Sequence, residues 1–319
     1  MLKPLLSISI VSYNNIQALL TCIESIIISV GKLRYEIIII AYKYSKQNVQ
    51  ILTKRYPDFT VIQNNDLSGF SENHNLALRY AKGKYWLILN DDTYFTDASI
   101  LHLVQTMEAC DDIHILSPII YNPDHTIQFY GRPKFTPIFW IIRELRLDKL
   151  FFRNGHLKKI NDTIYETFHI TGSCFIIRSD LMKSLGYFDE DYFFSPEDIM
   201  LSAEARKRGY NCYLDTQACV FHELSATAKP IHQIILPVSR QGLYLFFRKQ
   251  YNHLVELIIR ILTLIISLCK LLYWFIHIRS AQRKLMIKIH YNLIRFAFID
   301  IDCKLLFQKL YGSEAGISN

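Results

Sequence analysis

The chain has 319 residues, half of them hydrophobic and 13% aromatic, with a net charge of +7. That length and apolar fraction supply one large packed domain or two smaller ones and exclude a disordered chain. The seven cysteines, at 22, 110, 174, 212, 219, 269 and 303, are odd in number and contain no Cys-x-x-Cys pair. This excludes a disulfide framework or structural zinc site and fits a reducing compartment.

The opening, Met1 to Val11, has one lysine and no small-residue cleavage site, so it reads as a first strand over Leu5–Val11 and not as a signal peptide. Ile16–Val30 has helical spacing and stops at Gly31. Tyr35–Ala41 is a second apolar strand, Ser45–Tyr56 a helix halted by Pro57, and Phe59–Gln63 a short third strand. A helix over Ser71–Lys82 ends at Gly83 and leads into Tyr85–Leu89. The alternation implies a doubly wound parallel sheet with right-handed crossovers. No Gly-x-Gly-x-x-Gly follows the first strand and no Walker lysine loop exists, so those two nucleotide-binding devices are absent.

Tyr85–Leu89 runs straight into Asn90-Asp91-Asp92. An uncharged run of this kind is a strand buried on both faces, and ligands of open α/β sheets bind beyond the carboxyl ends of the strands. Carboxylates there can hold a hard divalent cation that binds phosphate oxygens; the bland alternative is a solvated turn or helix cap. Beyond it the pattern predicts a helix over Asp97–Ala109 and a strand over Ile113–Ile120. An irregular, proline- and aromatic-rich stretch over 121–165 suits an acceptor loop. A strand over Ile170–Ile177, a helix over Ser179–Leu185 and a helix over Ile199–Arg208 follow, and His222 closes a strand over Ala218–Phe221. Glu197 and Asp198 stand at the start of a helix, either complementing its dipole or presenting a general base.

Ile8–Asn14, Gly69–Asn75, Leu89–Thr93, Gly172–Arg178, and Phe188-Asp189-Glu190 with Glu197-Asp198 and Arg206, read together and in order, resemble glycosyltransferase family 2, the inverting transferases of GT-A fold. The resemblance covers about residues 5–225. It implies a doubly wound mixed sheet flanked by helices. It implies Mn2+ or Mg2+ held by Asp92 with Asn90 and His222. It also implies donor contacts from Ser12, Tyr13, Asn14, Gly69, Asn73, Asn75 and Asp91, with Asp198 as the base and Glu197 shaping the acceptor site. The implied reaction moves a sugar from a UDP- or dTDP-linked donor to a saccharide, lipid-linked in bacterial surface polysaccharide synthesis. The family's usual acid at the end of the second strand is replaced by Ala41, and Tyr42 offers a ring for stacking on a base. Ala41 keeps open an alternative, an inactive family member serving as an interaction subunit.

Residues 1–228 hold 23 Lys/Arg against 25 Asp/Glu, whereas 229–312 hold 13 against 3. The expected division is a catalytic domain over 1–228 and a basic amphipathic helical segment over 229–319, with the boundary near Lys229-Pro230. Leu254–Ile278 is strongly apolar, yet its longest run without a charge is nine residues, Ile261–Cys269, short of the roughly 20 a membrane span needs. His253, Glu256, Arg260, Thr263, Ser267, Lys270 and His277 fall on one face, and Arg279, Arg283, Lys284, Lys288 and Arg295 follow. This composition suits a helix lying in an anionic membrane surface, peripheral, on the cytoplasmic face of the cell membrane. The alternative is a helical hairpin packed on the catalytic domain or across a homodimer. Nucleic acid is not expected as a partner, because no binding motif accompanies the charge.

Overall fold

The computed structural model describes residues 3–147, 157–223, 232–277 and 281–314. It divides into two compact units: Met1–Asp66, Phe70–Asp189 and Glu197–Ala226 form the first, and Leu67–Gly69, Glu190–Pro196 and Thr227–Asn319 the second. The expected boundary at Lys229-Pro230 lies outside the described residues.

The first unit is built on one sheet. Its strands are β1 (Leu6–Tyr13), β2 (Tyr35–Tyr42), β3 (Thr60–Asn64), β4 (Tyr85–Asn90), β5 (Thr93–Tyr94), β6 (Ile115–Tyr121), β7 (Ile127–Phe129), β8 (Lys158–Lys159), β9 (Ile164–Thr167), β10 (Cys174–Arg178) and β11 (Cys212–His222). Its helices are α1 (Ile16–Ser29), α2 (Lys46–Arg55), α3 (Phe70–Leu78), α4 (Ser99–Ala109), α5 (Pro137–Glu144), α6 (Ser179–Leu185) and α7 (Glu197–Lys207). The strand order is β3-β2-β1-β4-β10-β6-β11-β9-β8, with β5 on β11 and β7 on β6. β3, β2, β1 and β4 are mutually parallel; β10 runs antiparallel to both β4 and β6, which makes the sheet mixed.

Alternation along the strands sends side chains to two cores. Leu6, Ile8 and Ile10 of β1 and Tyr85, Leu87 and Leu89 of β4 pack with α1 and α4. Trp86 and Ile88 face the other way, with Phe175 and Ile177 of β10, Leu181 of α6 and Leu201 of α7. Asn15 caps α1 by accepting from Ala18 N, Ser45 caps α2 by accepting from Asn48 N, and α6 stops where Gly186 takes a left-handed turn.

Three expectations are corrected here. The helix expected to reach Lys82 ends at Leu78. The stretch 121–165, expected to be irregular, holds β7, α5, β8 and the start of β9, short pieces paired at the sheet's margin; 148–156 lies outside the described residues. The strand expected over Ala218–Phe221 begins at Cys212, because a register shift between Asp215 and Cys219 interrupts its apolar pattern.

The second unit carries α8 (His232–Gln250), α9 (His253–Ile276), α10 (Arg283–Arg295) and α11 (Cys303–Glu314). Phe193, Ile234, Val238, Phe296, Cys303 and Leu306 form its core. Gly242 is required by close approach: a Cβ there would meet Ser195 O at 2.2 Å. The polar stripe of α9 points inward, since Glu256, Arg260, Thr263 and Ser267 are all buried. Glu256 accepts from Arg260 Nε at 2.9 Å and from Arg248 Nε at 2.7 Å, while Arg260 donates to Ala297 O at 2.8 Å. Leu254, Leu257, Ile258, Ile261, Ile265, Leu268 and Leu272 are exposed while Ile259 packs inward with the polar stripe, so the helix is inverted relative to a surface helix of a globular protein in water. Ile278 and Arg279 lie outside the described residues.

Candidate active site

β4 delivers Asn90 to the carboxyl end of the sheet, and the chain turns at once through Asp91 and Asp92 into β5. β5 lies against the end of β11 with Thr93 opposite His222, and this pairing brings the histidine to the acid pair from 130 residues downstream. His222 Nε2 is 3.1 Å from Asp92 Oδ1 and 3.3 Å from Asn90 Nδ2. The three residues assigned to the metal therefore meet.

Gln128 of β7 fixes how His222 presents itself. Its Nε2 donates to Asn122 Oδ1 at 2.9 Å and to His222 O at 3.3 Å, which turns Oε1 toward His222 Nδ1 at 2.7 Å. An amide oxygen only accepts, so the network places a proton on Nδ1 and turns Nε2 toward Asp92. Nε2 and a carboxylate oxygen of Asp92 converge. A hard cation fits between such donors, and carboxylate and imidazole are the ligand types Mn2+ accepts. Among the described residues no group of three or more His, Cys, Asp or Glu side chains is arranged to hold a metal.

Asp91 is held by a different contact. Its Oδ2 accepts from Ser12 Oγ, and Ser12 Oγ shares a 2.7 Å hydrogen bond with Tyr44 OH. Burial pushes the Asp91 carboxyl up to about 7, with the charge of Asp92 adding to the rise and the Ser12 bond opposing it. Ser12, expected at the donor, thus holds an acid of the motif in place.

Asp198 stands in the first turn of α7. Its Oδ2 accepts from Gly172 N at 3.0 Å and its Oδ1 from Ile199 N at 2.7 Å. The neighbouring Ser173 accepts from Asn90 N at 3.1 Å. Two consecutive residues, Gly172 and Ser173, therefore tie the expected base to the expected metal turn. Burial raises the Asp198 carboxyl above the ordinary range, opposed by the Gly172 and Ile199 amides and the positive charge of Arg143. Glu197 beside it is buried. Arg206, in the last turn of α7, donates to Phe168 O at 3.1 Å, Thr167 O at 2.7 Å and Glu166 Oε1 at 3.0 Å. It anchors the helix to the segment before Gly172.

The remaining expected donor residues fall in three places. Tyr13 and Tyr42 stand side by side at the ends of β1 and β2 with ring centroids 5.3 Å apart, and Asn14 N donates to Tyr42 O at 3.0 Å. Tyr13 is exposed, so this pair offers a platform for a planar base. Asn73 and Asn75 are buried on α3. Asn73 accepts from Asn64 Nδ2 at 2.7 Å, and Asn75 both donates to Phe188 O and accepts from Phe188 N. The structure gives these two amides joining roles. Gly69 belongs to the second unit, where a Cβ would meet Phe193 O at 2.3 Å. Gln128 and Tyr44 were not among the expected site residues; Gln128 sits in the stretch expected to lack structure.

A mixed α/β sheet with acids at the carboxyl end of β4 and an acid-bearing helix beyond β10 defines a GT-A architecture. The model for glycosyl transferase family 2 matches residues 7–186, and the chain belongs to that family. An O-antigen biosynthesis protein of Myxococcus xanthus is 24% identical over 166 residues, 49% of this chain and 12% of that protein. A low-salt glycan biosynthesis hexosyltransferase of Haloferax volcanii is 25% identical over 201 residues, 61% of this chain and 60% of that protein. The chain thus spans 12% and 60% of the length of these two relatives, under two thirds of each. Among solved structures, GalNAc-T7 with UDP, GalNAc and Mn2+ aligns with a TM-score of 0.51 at 16% identity, covering 69% of this chain and 44% of that one. A mannosyltransferase of Pyrobaculum calidifontis in complex with GDP-Man and Mn2+ aligns with a TM-score of 0.50 at 12% identity, covering 100% and 77%. At these identities the structural likeness concerns the fold.

Proposed function

We propose that this chain transfers one sugar, with inversion of configuration, from a UDP- or dTDP-linked donor to a lipid-linked saccharide. The process served is surface polysaccharide synthesis at the cytoplasmic face of a bacterial cell membrane, and the reaction depends on Mn2+ or Mg2+. The observation that carries this is the link from Asp198 through Gly172 and Ser173 to Asn90, and from Asn90 to His222 and Asp92. A base and a cation site held by one short segment are what a single displacement at a sugar diphosphate needs. The names of the two relatives, in O-antigen and glycan biosynthesis, support the process. The UDP, GDP-Man and Mn2+ of the structural neighbours support the donor class and the ion. All seven cysteines are unpaired, in keeping with a reducing compartment.

The chemistry follows from the residues. Asp198 removes the proton of an acceptor hydroxyl, and its raised pKa makes it a better base than an exposed carboxylate. The freed oxygen attacks the anomeric carbon from the face opposite the diphosphate; the carbon–oxygen bond to the diphosphate breaks and its electron pair leaves with the phosphate. Asp92 and His222 Nε2 would hold the divalent ion, with Asn90 beside them, and that ion supplies positive charge at the leaving oxygens. Tyr13 and Tyr42 take the base. Ala41, standing where the family pattern implies an acid, is buried in the core, so the donor's base relies on this aromatic pair. Asp92 and His222 remain in contact, which supports an enzyme over an inactive subunit. The test is a panel of nucleotide sugars with Mn2+ or Mg2+, followed by NMR of the glycoside. A product with the opposite anomeric configuration to its donor is expected; no turnover on any donor would return the inactive reading.

A further inference from the structure

The second unit presents a row of apolar side chains outward along the length of α9. Leu254, Leu257, Ile261, Ile265, Leu268 and Leu272 recur at spacings of three and four, and each is exposed by at least 41%. The helix cannot relieve this by rolling, because its polar stripe is locked inward by the Arg248–Glu256–Arg260 ion pairs. A continuous apolar face of this length marks an interaction surface.

We propose that this face docks on an anionic phospholipid bilayer, with α9 lying flat in the interface. The clause of the proposed function that this deepens is the membrane localisation; the sugar-transfer reading does not depend on it. Two observations select lipid over a second copy of the chain. First, residues 229–312 carry 13 basic side chains against 3 acidic, so two copies would bring like charges together, whereas an anionic surface complements them. Second, the basic run starts where the apolar face ends. Tyr273 and Phe275 are exposed beside Trp274, Arg283 donates to Trp274 O at 3.1 Å, and Lys284, Lys288 and Arg295 follow, all exposed. Exposed aromatic rings and lysine and arginine side chains beside an apolar face are the composition that an anionic membrane interface takes up. No helix among the described residues is long and apolar enough to cross a membrane, so the helix rests on one leaflet.

The experiment is flotation of the full chain with vesicles of phosphatidylcholine plus phosphatidylglycerol, and with phosphatidylcholine alone. The wild type should float with the anionic vesicles and bind the neutral ones more weakly. Ile261→Glu/Ile265→Glu should lower binding to the anionic vesicles at least about tenfold. Its melting profile should be unchanged, because both side chains already face outward. Lys284→Glu/Lys288→Glu, which spares the apolar face, should weaken binding to anionic vesicles only. Nucleotide release from donor in vesicle-free solution should be equal in all three proteins, which keeps this inference separable from the sugar-transfer reading. Wild-type binding retained by the isoleucine variant would overturn the proposal. So would a vesicle-free wild-type dimer that the same variant converts to a monomer.

Discussion

Gln128 Oε1 lies 2.7 Å from His222 Nδ1, and this contact decides which nitrogen of the imidazole faces Asp92. Removing it frees the ring to rotate and to exchange tautomers. Gln128→Ala should weaken Mn2+ binding by about 10–100-fold, the usual range for loss of a partner behind a metal-ligating histidine. Mn2+ titration followed by electron paramagnetic resonance reads this directly, without turnover. Unchanged affinity would show that His222 needs no such support.

Asp198→Asn should lower turnover by on the order of 10²–10⁴, because an amide cannot take the acceptor's proton. The variant's single amide oxygen can replace only one of the two carboxylate oxygens that accept from Gly172 N and Ile199 N, so one of these bonds is lost. Donor affinity, measured by calorimetry, should still stay within about threefold of wild type, because the proton is taken from the acceptor and not from the donor. A variant unable to bind donor would place Asp198 in the donor site or the scaffold.

Two buried histidines set an acid limit on stability. Burial lowers His74 to about 3, and lowers His169 to about 4 against the opposing bond to Ile170 O. Both rings are neutral in the fold and gain a proton more readily when unfolded. Stability is therefore complete above the unfolded value of about 6.5 and is lost as pH falls from there toward the folded values. For His74 the loss by pH 4 is about 3 kcal/mol. Urea unfolding at pH 7 and pH 4 should show a smaller acid loss in His74→Leu than in wild type. Equal losses would mean the ring is protonated in the fold.

Inversion of α9 predicts an unusual ranking of substitutions. Glu256→Leu leaves Arg260 buried without its carboxylate and should destabilise the second unit by about 3–5 kcal/mol. Leu257→Gln, one position along and facing outward, should change stability by less than about 0.5 kcal/mol in water. Chemical unfolding of the two variants settles the order. Were the leucine change the costlier one, the outward face would be packed in solution.

How much of this the sequence disclosed depends on the range of the interaction. The strand over Tyr85–Leu89 and the acids that end it were legible because a buried parallel strand is apolar throughout and its end is marked by the first charge. Helices at Ile16, Ser45 and Ser179 were legible from caps and from stops at glycine or proline. The antiparallel sense of β10 was not visible in its residues, since Cys174–Arg178 is as uniformly buried as any parallel strand. Gln128 was out of reach for a related reason. β7 is three residues long, too short for a period, and the residue's role arises only when β7 pairs with β6 and β11 closes beside it. The stripe from His253 to His277 announced two faces on α9. Periodicity cannot say which face turns inward; that was decided by Arg248 of α8 and Ala297 after α10, which satisfy Glu256 and Arg260.

The most direct test of the account is nucleoside diphosphate release from an accepted donor by chelator-treated protein, with and without added Mn2+, for wild type, Asp92→Asn and Asp91→Asn. Wild type should be inactive after chelation and restored by Mn2+. Asp92→Asn should stay inactive at any Mn2+ concentration, since it removes the carboxylate that faces His222 Nε2. Asp91→Asn should lose less, because its carboxyl is turned toward Ser12. Full activity in excess chelator, or Asp92→Asn turning over like wild type, would contradict a cation held by Asp92 and His222.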